Sequence, residues 1–228
     1  MRKKHLLHKG TGLRNIILGG QDGVVNVLGL VLGVATATAD TRLVIISGVS
    51  AAFAESISMA AVAYTSTKAT RDYYRSELAK EKREIKEIPE LERREIFNIF
   101  RRKGFRGRVL ASIVHTITGK KKLWHRTMMK EELKLEDGRE SPASDAFVVG
   151  TASMVGSVIP LLPFFLGTSV LFARYLTVAL CIAVLFFTGM FKARVTIGSP
   201  LKAGIEMAVI GLLSAVAGYA VGLLLGHF

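Results

Sequence analysis

Five long stretches with almost no charged residues limit what this 228-residue chain can fold into. A helix needs about 20 apolar residues to cross the hydrocarbon core of a bilayer. Each stretch has that length, and three of them contain a single acid, namely Asp22, Glu55 and Glu206. We therefore predict an all-α polytopic membrane protein with five transmembrane helices, at about 15–39, 43–66, 146–167, 171–191 and 203–226.

The charges of the chain collect on one side of these predicted helices. The net charge is +13, and residues 68–140 alone hold 21 Lys/Arg against 13 Asp/Glu. Cytoplasmic loops carry the excess of Lys and Arg in membrane proteins. We therefore expect the N-terminus, residues 68–140 and the loop at 192–202 to be cytoplasmic. Because the cations flank the apolar stretches, we expect membrane lipid as a partner and no nucleic acid.

The polar segment between the second and third predicted helices is itself expected to be helical. No Gly or Pro occurs from Tyr64 to Ile88, so the second helix should continue beyond the membrane. Pro89 ends that helix and can start the next one. Further helices are expected at about 90–102, 108–118 and 121–135. We therefore divide the chain into residues 1–67, a cytoplasmic helical module at 68–142, and residues 143–228.

This module contains carboxylates and thioethers at helical spacing. The pattern E-x-x-E occurs twice, followed by a Met-Met pair and a further Glu, and residues three or four apart lie on one side of a helix. Methionines on a polar helix would be exposed without a packing role. Such donors suit Fe²⁺, Mn²⁺, Co²⁺ or Zn²⁺ better than Mg²⁺ or Ca²⁺. The candidate metal ligands are Glu81, Glu84, Glu92, Glu95, Met128, Met129 and Glu132.

Two acids inside the predicted spans indicate a path for ions. An ionisable group deep in a membrane costs roughly 3 kcal/mol on insertion scales, so it usually faces a partner or a water-filled path. Asp22 has Asn26 one turn further along the first helix, and Glu55 has Met59 one turn further along the second. We predict that these four residues line a transport path.

Small residues recur along two of the predicted helices. The last helix has a Gly or Ala every three or four positions from Gly204 to Gly226, and the first helix has Gly29 and Gly33. Small side chains let the backbones of membrane helices approach closely. We expect these two helices to pack tightly against their neighbours.

Three sets of residues resemble motifs of the vacuolar iron transporter family. The tripeptide Gln-Asp-Gly at 21–23 stands where the family has a Ser-Asp-Gly type motif. Ile-Ser-Met at 57–59 is followed by small residues and Tyr64, as in the second helix of the family. The cytoplasmic pattern of plant-type members is E-x-x-E, a turn, E-x-x-E and M-M-x-x-E, and the seven candidate ligands match it with Pro89 at the turn. The resemblance covers about residues 14–226.

The resemblance implies a homodimer of five-helix protomers with the ion path at the dimer interface. It also implies proton-coupled export of Fe²⁺, and often of Mn²⁺ or related ions, from the cytoplasm. Asp22 and Met59 would then be path residues, and the seven module residues would bind metal near the entrance. This chain departs from many members by having Val-Ala-Tyr at 62–64 instead of Gly-Glu-Tyr. The sequence leaves open whether Glu55 replaces the missing acid.

The sequence therefore predicts a divalent metal–proton antiporter and not an enzyme. The alternative is a membrane-anchored metal buffer or sensor without transport, for which acids inside the spans would have no use. A di-metal oxidase would need His in E-x-x-H spacing, which none of the Glu pairs has. The expected location is the plasma membrane in a prokaryote and the vacuolar membrane in a eukaryote.

Overall fold

The computed structural model describes residues 2–135, 141–196 and 198–226, with side chains from residue 12 onward. All regular elements within these ranges are helices, in agreement with the predicted all-α class. In chain order they are α1 (Arg2–Ala37), α2 (Thr41–Glu87), α3 (Pro89–Arg102), α4 (Gly107–Thr118), α5 (Lys121–Glu131), α6 (Pro142–Val158), a 3-10 helix (Ile159–Leu166), α7 (Val170–Val195) and α8 (Pro200–Leu225).

The chain forms two compact units. Residues 1–65 and 142–228 form the first, which we call the membrane unit, and residues 66–141 form the second, the polar module. Helix α2 contributes to both units and is continuous from Thr41 to Glu87. This continuity confirms the prediction from the absence of Gly and Pro between Tyr64 and Ile88.

Five helical segments of the described residues are long and apolar enough to cross a membrane, which confirms the predicted number. Helix α2 has 47 residues, which at about 1.5 Å per residue is twice the length that a bilayer core requires. Its apolar first half, near the predicted 43–66, therefore accounts for the span. The five segments are Gly12–Ala37, Thr41–Glu87, Pro142–Leu166, Val170–Val195 and Pro200–Leu225.

Helix α1 packs against α6, α7 and α8 and supplies much of the core of the membrane unit. Leu28 lies in a buried cluster with Leu185 of α7. Val31 belongs to a second cluster with Leu161 of the 3-10 helix. All four side chains are at most 1% exposed. Since lipid tails are as apolar as these side chains, close packing rather than escape from water holds such helices together.

Glycines set the distance between α1 and α8. A Cβ atom at Gly218 would collide with the backbone of Gly29, and one at Gly222 would collide with that of Gly33. The small residues in these two helices therefore serve packing, as the sequence predicts.

The polar module is built on an apolar core of its own. Its helices α3 and α4 are amphipathic, and α4 packs against both α3 and α5. Burying one such apolar side chain contributes about 1.5–3 kcal/mol. The buried cluster comprises Ile85 of α2, Ile96 of α3, Leu110, Val114 and Ile117 of α4, and Trp124 and Met128 of α5.

Helix α5 is shorter than predicted. The sequence favoured a helix to about residue 135, but α5 ends at Glu131. Lys134 adopts a left-handed conformation with φ of 56°, which a regular helix does not allow. The backbone N–H of Leu135 reaches back to the carbonyl of Met129 at 2.9 Å, so the chain turns away from the helix axis there.

Candidate metal and transport sites

Three glutamates from different helices converge in the polar module. Glu81 lies on α2, Glu92 on the first turn of α3, and Glu132 directly after α5. One carboxylate oxygen of each lies within 4.8 Å of the other two. Oxygens that bind one cation at about 2.0–2.6 Å lie no more than about 5 Å apart. The three carboxylates, which we call the carboxylate cluster, therefore have a spacing that fits a single divalent cation.

The core of the module positions this cluster. Each of the three glutamates is four residues from a buried side chain of the apolar cluster, respectively Ile85, Ile96 and Met128. Residues four apart share one face of a helix. When the three apolar side chains pack together, the carboxylates one turn away are therefore brought together as well.

Two of the clustered carboxylates are buried, and each has an oxygen without a hydrogen-bond partner among the described residues. Glu81 and Glu92 are each only 4% exposed. Oε1 of Glu81 and Oε2 of Glu92 have no hydrogen-bond partner within the described part of the chain. Buried carboxylate oxygens are normally paired or bound to a metal. A divalent cation bound by the three carboxylates would therefore give these unpaired oxygens a partner.

The electrostatics of the cluster favour protons or a cation over free carboxylates. Burial, followed by the charges of Glu92 and Glu132, raises the pKa of Glu81 to about 8. Burial and the charge of Glu95 likewise raise the pKa of Glu132 to about 7. The pKa of Glu92 is raised for the same two reasons. A cation bound among these groups would displace the protons that they otherwise retain.

Glu84 and Glu95 lie around the carboxylate cluster rather than in it. Their charges act on the clustered groups, and the side chain of Glu95 lies close enough to that of Glu132 to raise its pKa. Oε1 of Glu84 also lies 3.9 Å from the ammonium nitrogen of Lys80. Both residues thus add negative charge close to the three clustered oxygens, and their predicted role as ligands stays a prediction.

A second constellation lies in the membrane unit. The carboxyl group of Glu55 on α2 lies close enough to the side chains of Asp22 and Asn26 on α1 to interact with both. Asp22 and Glu55 are partly buried and Asn26 is exposed. Met59 is also partly buried, one turn from Glu55 on α2. The structure therefore joins the two acids, which the sequence placed on separate helices, into one polar group within apolar spans.

Comparison with known protein sequences shows which family this chain belongs to. Residues 13–223 match the sequence model of the VIT family. The chain belongs to the VIT family. It is 32% identical to vacuolar iron transporter 2 of Oryza sativa subsp. japonica over 211 residues, which cover 92% of this chain and 86% of that protein. Vacuolar iron transporter 1 of Arabidopsis thaliana is 30% identical over 219 residues, covering 96% and 88%. The vacuolar iron transporter of Plasmodium falciparum (isolate 3D7) is 29% identical over 234 residues, covering 98% and 85%.

Met128 and Met129 of this VIT-family chain are not exposed. The expectation that this pair of methionines would be exposed is wrong. Met128 is 0% exposed and Met129 is 1% exposed. Met128 packs in the apolar core with Ile96 and Trp124. The reason is that α5 turns its apolar side toward α4, which the polar composition of α5 hides in the sequence. Their predicted role as soft metal ligands stays a prediction.

Several polar contacts between the membrane helices were not singled out in the sequence. The amide of Asn15 donates to a carboxylate oxygen of Asp145 on α6 at 3.0 Å. The hydroxyl of Ser214 on α8 donates to the carbonyl of Val25 at 2.7 Å. Asparagine and serine within apolar stretches are the available signal, but the sequence does not show which helices meet. These contacts help to hold α1, the helix that carries Asp22, in its place.

Proposed function

We propose that this protein is a divalent metal–proton antiporter that exports Fe²⁺ from the cytoplasm. Mn²⁺, Co²⁺ and Zn²⁺ are further candidate substrates, because the same donor types bind them. The protein would act as a carrier and not as an enzyme. The observation that carries the proposal is the contact between the carboxyl groups of Glu55 and Asp22 within apolar helices.

This contact supports exchange for a chemical reason. Two carboxyl groups can hydrogen-bond to each other only while at least one of them holds a proton. A divalent cation between them needs both in the charged form, so binding the metal releases protons and protonation releases the metal. Such a pair is costly inside a membrane unless it has this kind of use. Asn26 adds an amide that can orient either form, and Met59 adds a soft donor one turn away.

The carboxylate cluster of the polar module would capture the ion before transport. Glu81, Glu92 and Glu132 would supply the first oxygens, and Glu84, Glu95, Met128 and Met129 complete the predicted ligand set. Because the pKa values of Glu81 and Glu132 are raised to about 8 and about 7, capture would also release protons near neutral pH. The ion would then pass to Glu55 and Met59 and on to Asp22.

The relatives and the charge distribution support the substrate and direction. The relatives named above are vacuolar iron transporters by name, which favours Fe²⁺. The excess of Lys and Arg in residues 68–140 favours a cytoplasmic polar module and N-terminus, and therefore loading from the cytoplasm. In a eukaryotic cell the vacuolar membrane is the proposed location, and in a prokaryote the plasma membrane.

We also propose that the working form is a homodimer. Asn26 is exposed, and Asp22 and Glu55 are only partly buried. Polar groups on the surface of a membrane helix normally face the interior of a bundle or a cavity instead of lipid. A second copy packed on this face would cover the polar group and enclose a path.

Transport by the full-length protein in liposomes tests this function. We expect Fe²⁺ uptake driven by a pH gradient, and we expect Asp22→Asn and Glu55→Gln each to reduce it to the rate of empty liposomes. Glu206→Gln is the matched control, since Glu206 is an exposed acid in the first turns of α8 and should leave the rate unchanged. Uptake that ignores the pH gradient, or that survives Asp22→Asn, would refute antiport through this pair.

The alternative function is a membrane-anchored metal buffer or sensor. The observation that favours it is that the carboxylate cluster lies entirely within the polar module. In that case the protein would bind Fe²⁺ with unchanged affinity in Asp22→Asn and Glu55→Gln variants and would show no flux. The liposome assay combined with a binding titration on the same preparations separates the two functions.

A further inference from the structure

The polar module carries a long acid-free segment with a concentrated group of cations. Residues 96–130 contain ten Lys/Arg and no Asp/Glu. Five of the ten occur within eight residues at the connection between α3 and α4, where the sequence reads Arg-Arg-Lys-Gly-Phe-Arg-Gly-Arg over 101–108. All residues from 101 to 109 are exposed. We call residues 101–109 the basic loop, and the metal chemistry described above makes no use of them.

The backbone of the basic loop has a defined conformation. Gly104 has φ of 99°, and its N–H bonds to the carbonyl of Arg101 at 3.1 Å. The N–H of Phe105 bonds to the carbonyl of Phe100 at 3.2 Å, and the two rings lie with centroids 6.0 Å apart. These two hydrogen bonds and the apolar contact make up the Schellman motif of a helix end. The loop therefore presents its side chains from a fixed scaffold.

Three of the five cations in the loop are available for a partner. Lys103 is occupied, since its ammonium group pairs with Glu131 and lies 5.2 Å above the ring of Phe100. The guanidinium of Arg106 donates to the carbonyls of Arg101 and Phe105. The side chains of Arg101, Arg102 and Arg108 make no ion pair with any residue that the structure describes.

Two apolar side chains stand among these cations. Phe105 is 38% exposed and Val109 is 58% exposed. An exposed aromatic and an aliphatic side chain surrounded by Arg form the combination that binds at the boundary between lipid headgroups and acyl chains. Clusters of Lys and Arg attract anionic lipid headgroups through their opposite charge.

We propose that the basic loop binds anionic phospholipid headgroups, with Phe105 and Val109 entering the lipid interface. The phosphate groups would be bound by the guanidinium groups of Arg101, Arg102 and Arg108, which suit phosphate geometry. Lipid is favoured over nucleic acid because the module is joined at both ends to apolar spans of the same chain, and because the exposed Phe105 and Val109 suit a lipid interface. The proposal does not depend on the transported ion or on the direction of transport.

A fluorophore at the tip of the loop tests this in the full-length protein. Phe105→Cys in a Cys181→Ala background carries an NBD label, and the protein is placed in nanodiscs of phosphatidylcholine with or without phosphatidylglycerol. We expect blue-shifted NBD emission only in the anionic nanodiscs. The shift should be lost in 1 M salt, where the Debye length is about 3 Å. If Cys181→Ala does not fold, Cys181 can be retained, because it is fully buried and is not expected to react with the label.

Two controls separate headgroup binding from general effects. Leu91→Cys carries the same label at a position that is 49% exposed and flanked by Glu90 and Glu92, and it should not respond to lipid charge. Neutralising the loop by Arg101→Gln, Arg102→Gln and Arg108→Gln should abolish the shift at position 105. Neutralising three exposed lysines elsewhere in the module by Lys120→Gln, Lys121→Gln and Lys122→Gln should preserve it.

Several outcomes would overturn the proposal. An equal shift in neutral and anionic nanodiscs would show apolar insertion without headgroup binding. A shift that survives neutralisation of Arg101, Arg102 and Arg108 would exclude the loop cations as the cause. A response to an added oligonucleotide, with none to phosphatidylglycerol, would identify the loop as a nucleic-acid site instead.

Discussion

Glu81 shows how the surroundings of a single carboxyl group would make the proposed metal binding compete with protonation. It is buried beside Glu92 and Glu132, and burial together with these charges raises its pKa to about 8 from an ordinary value of 4.5. Between these two pH values the folded protein holds a proton at this site that the unfolded chain has lost. The contribution of Glu81 to stability without metal is therefore fully present below pH 4.5 and is lost as the pH rises to 8.

This linkage gives a pH prediction for the metal-free protein. We expect the polar module to unfold at lower denaturant concentration at pH 8 than at pH 5.5. Trp124, the only tryptophan of the chain, is 5% exposed in the core of the module and reports its unfolding. Glu81→Gln should weaken the pH dependence, and Fe²⁺ should restore stability at pH 8. A module that gains stability as the pH rises without metal would contradict the raised pKa.

Met128 is a core residue of the polar module, and a conservative substitution can test its predicted second role as a metal ligand. Leucine has nearly the same volume, so Met128→Leu should cost less than about 1.5 kcal/mol of stability. If the thioether binds metal as the sequence predicts, the same change should weaken binding of Fe²⁺ and leave binding of Mg²⁺ unaffected. Calorimetric titration of the full-length protein measures both affinities. Ile96→Leu, in the same buried cluster, controls for packing, and equal affinities in both variants would leave Met128 a core residue only.

At the scale of the elements, the contact between α1 and α8 depends on glycines, which have no side chain to separate the two backbones. A methyl group at Gly218 would meet the backbone of Gly29, which cannot move without shifting a whole helix. We expect Gly218→Ala to destabilise the membrane unit by about 1–3 kcal/mol, the usual cost of overpacking. Gly12→Ala in α1 is the control, since no atom of the described residues lies within 4 Å of its added methyl group. The thermal unfolding midpoint in detergent distinguishes the two variants, and equal midpoints would refute the close approach.

At the scale of the whole molecule, the proposed homodimer makes a prediction about distances between copies. In a Cys181→Ala background, Asn26→Cys should form a covalent dimer with a short bifunctional thiol reagent in liposomes, because position 26 would lie at the interface. Phe147→Cys is the control, since Phe147 is 72% exposed on α6 and is expected to face lipid. The products are read by gel mobility. Cross-linking through position 147 and not through 26 would move the interface to another face.

The sequence by itself determined the membrane class, the five spans, the continuous helix α2 and the tight packing of small residues. These features depend on local composition and on spacing along one helix, which the linear order of residues contains. It also identified Glu81, Glu92, Glu132, Asp22 and Glu55 as candidates by residue type and spacing.

Only the tertiary structure decided which of those candidates meet. Glu81, Glu92 and Glu132 come together because core residues one turn away pack against each other, and Glu55 reaches Asp22 across two helices. The same packing buries Met128 and Met129 and ends α5 early. Contacts between helices depend on how their faces are oriented and how closely they approach, and a periodic pattern within one helix does not specify its neighbour.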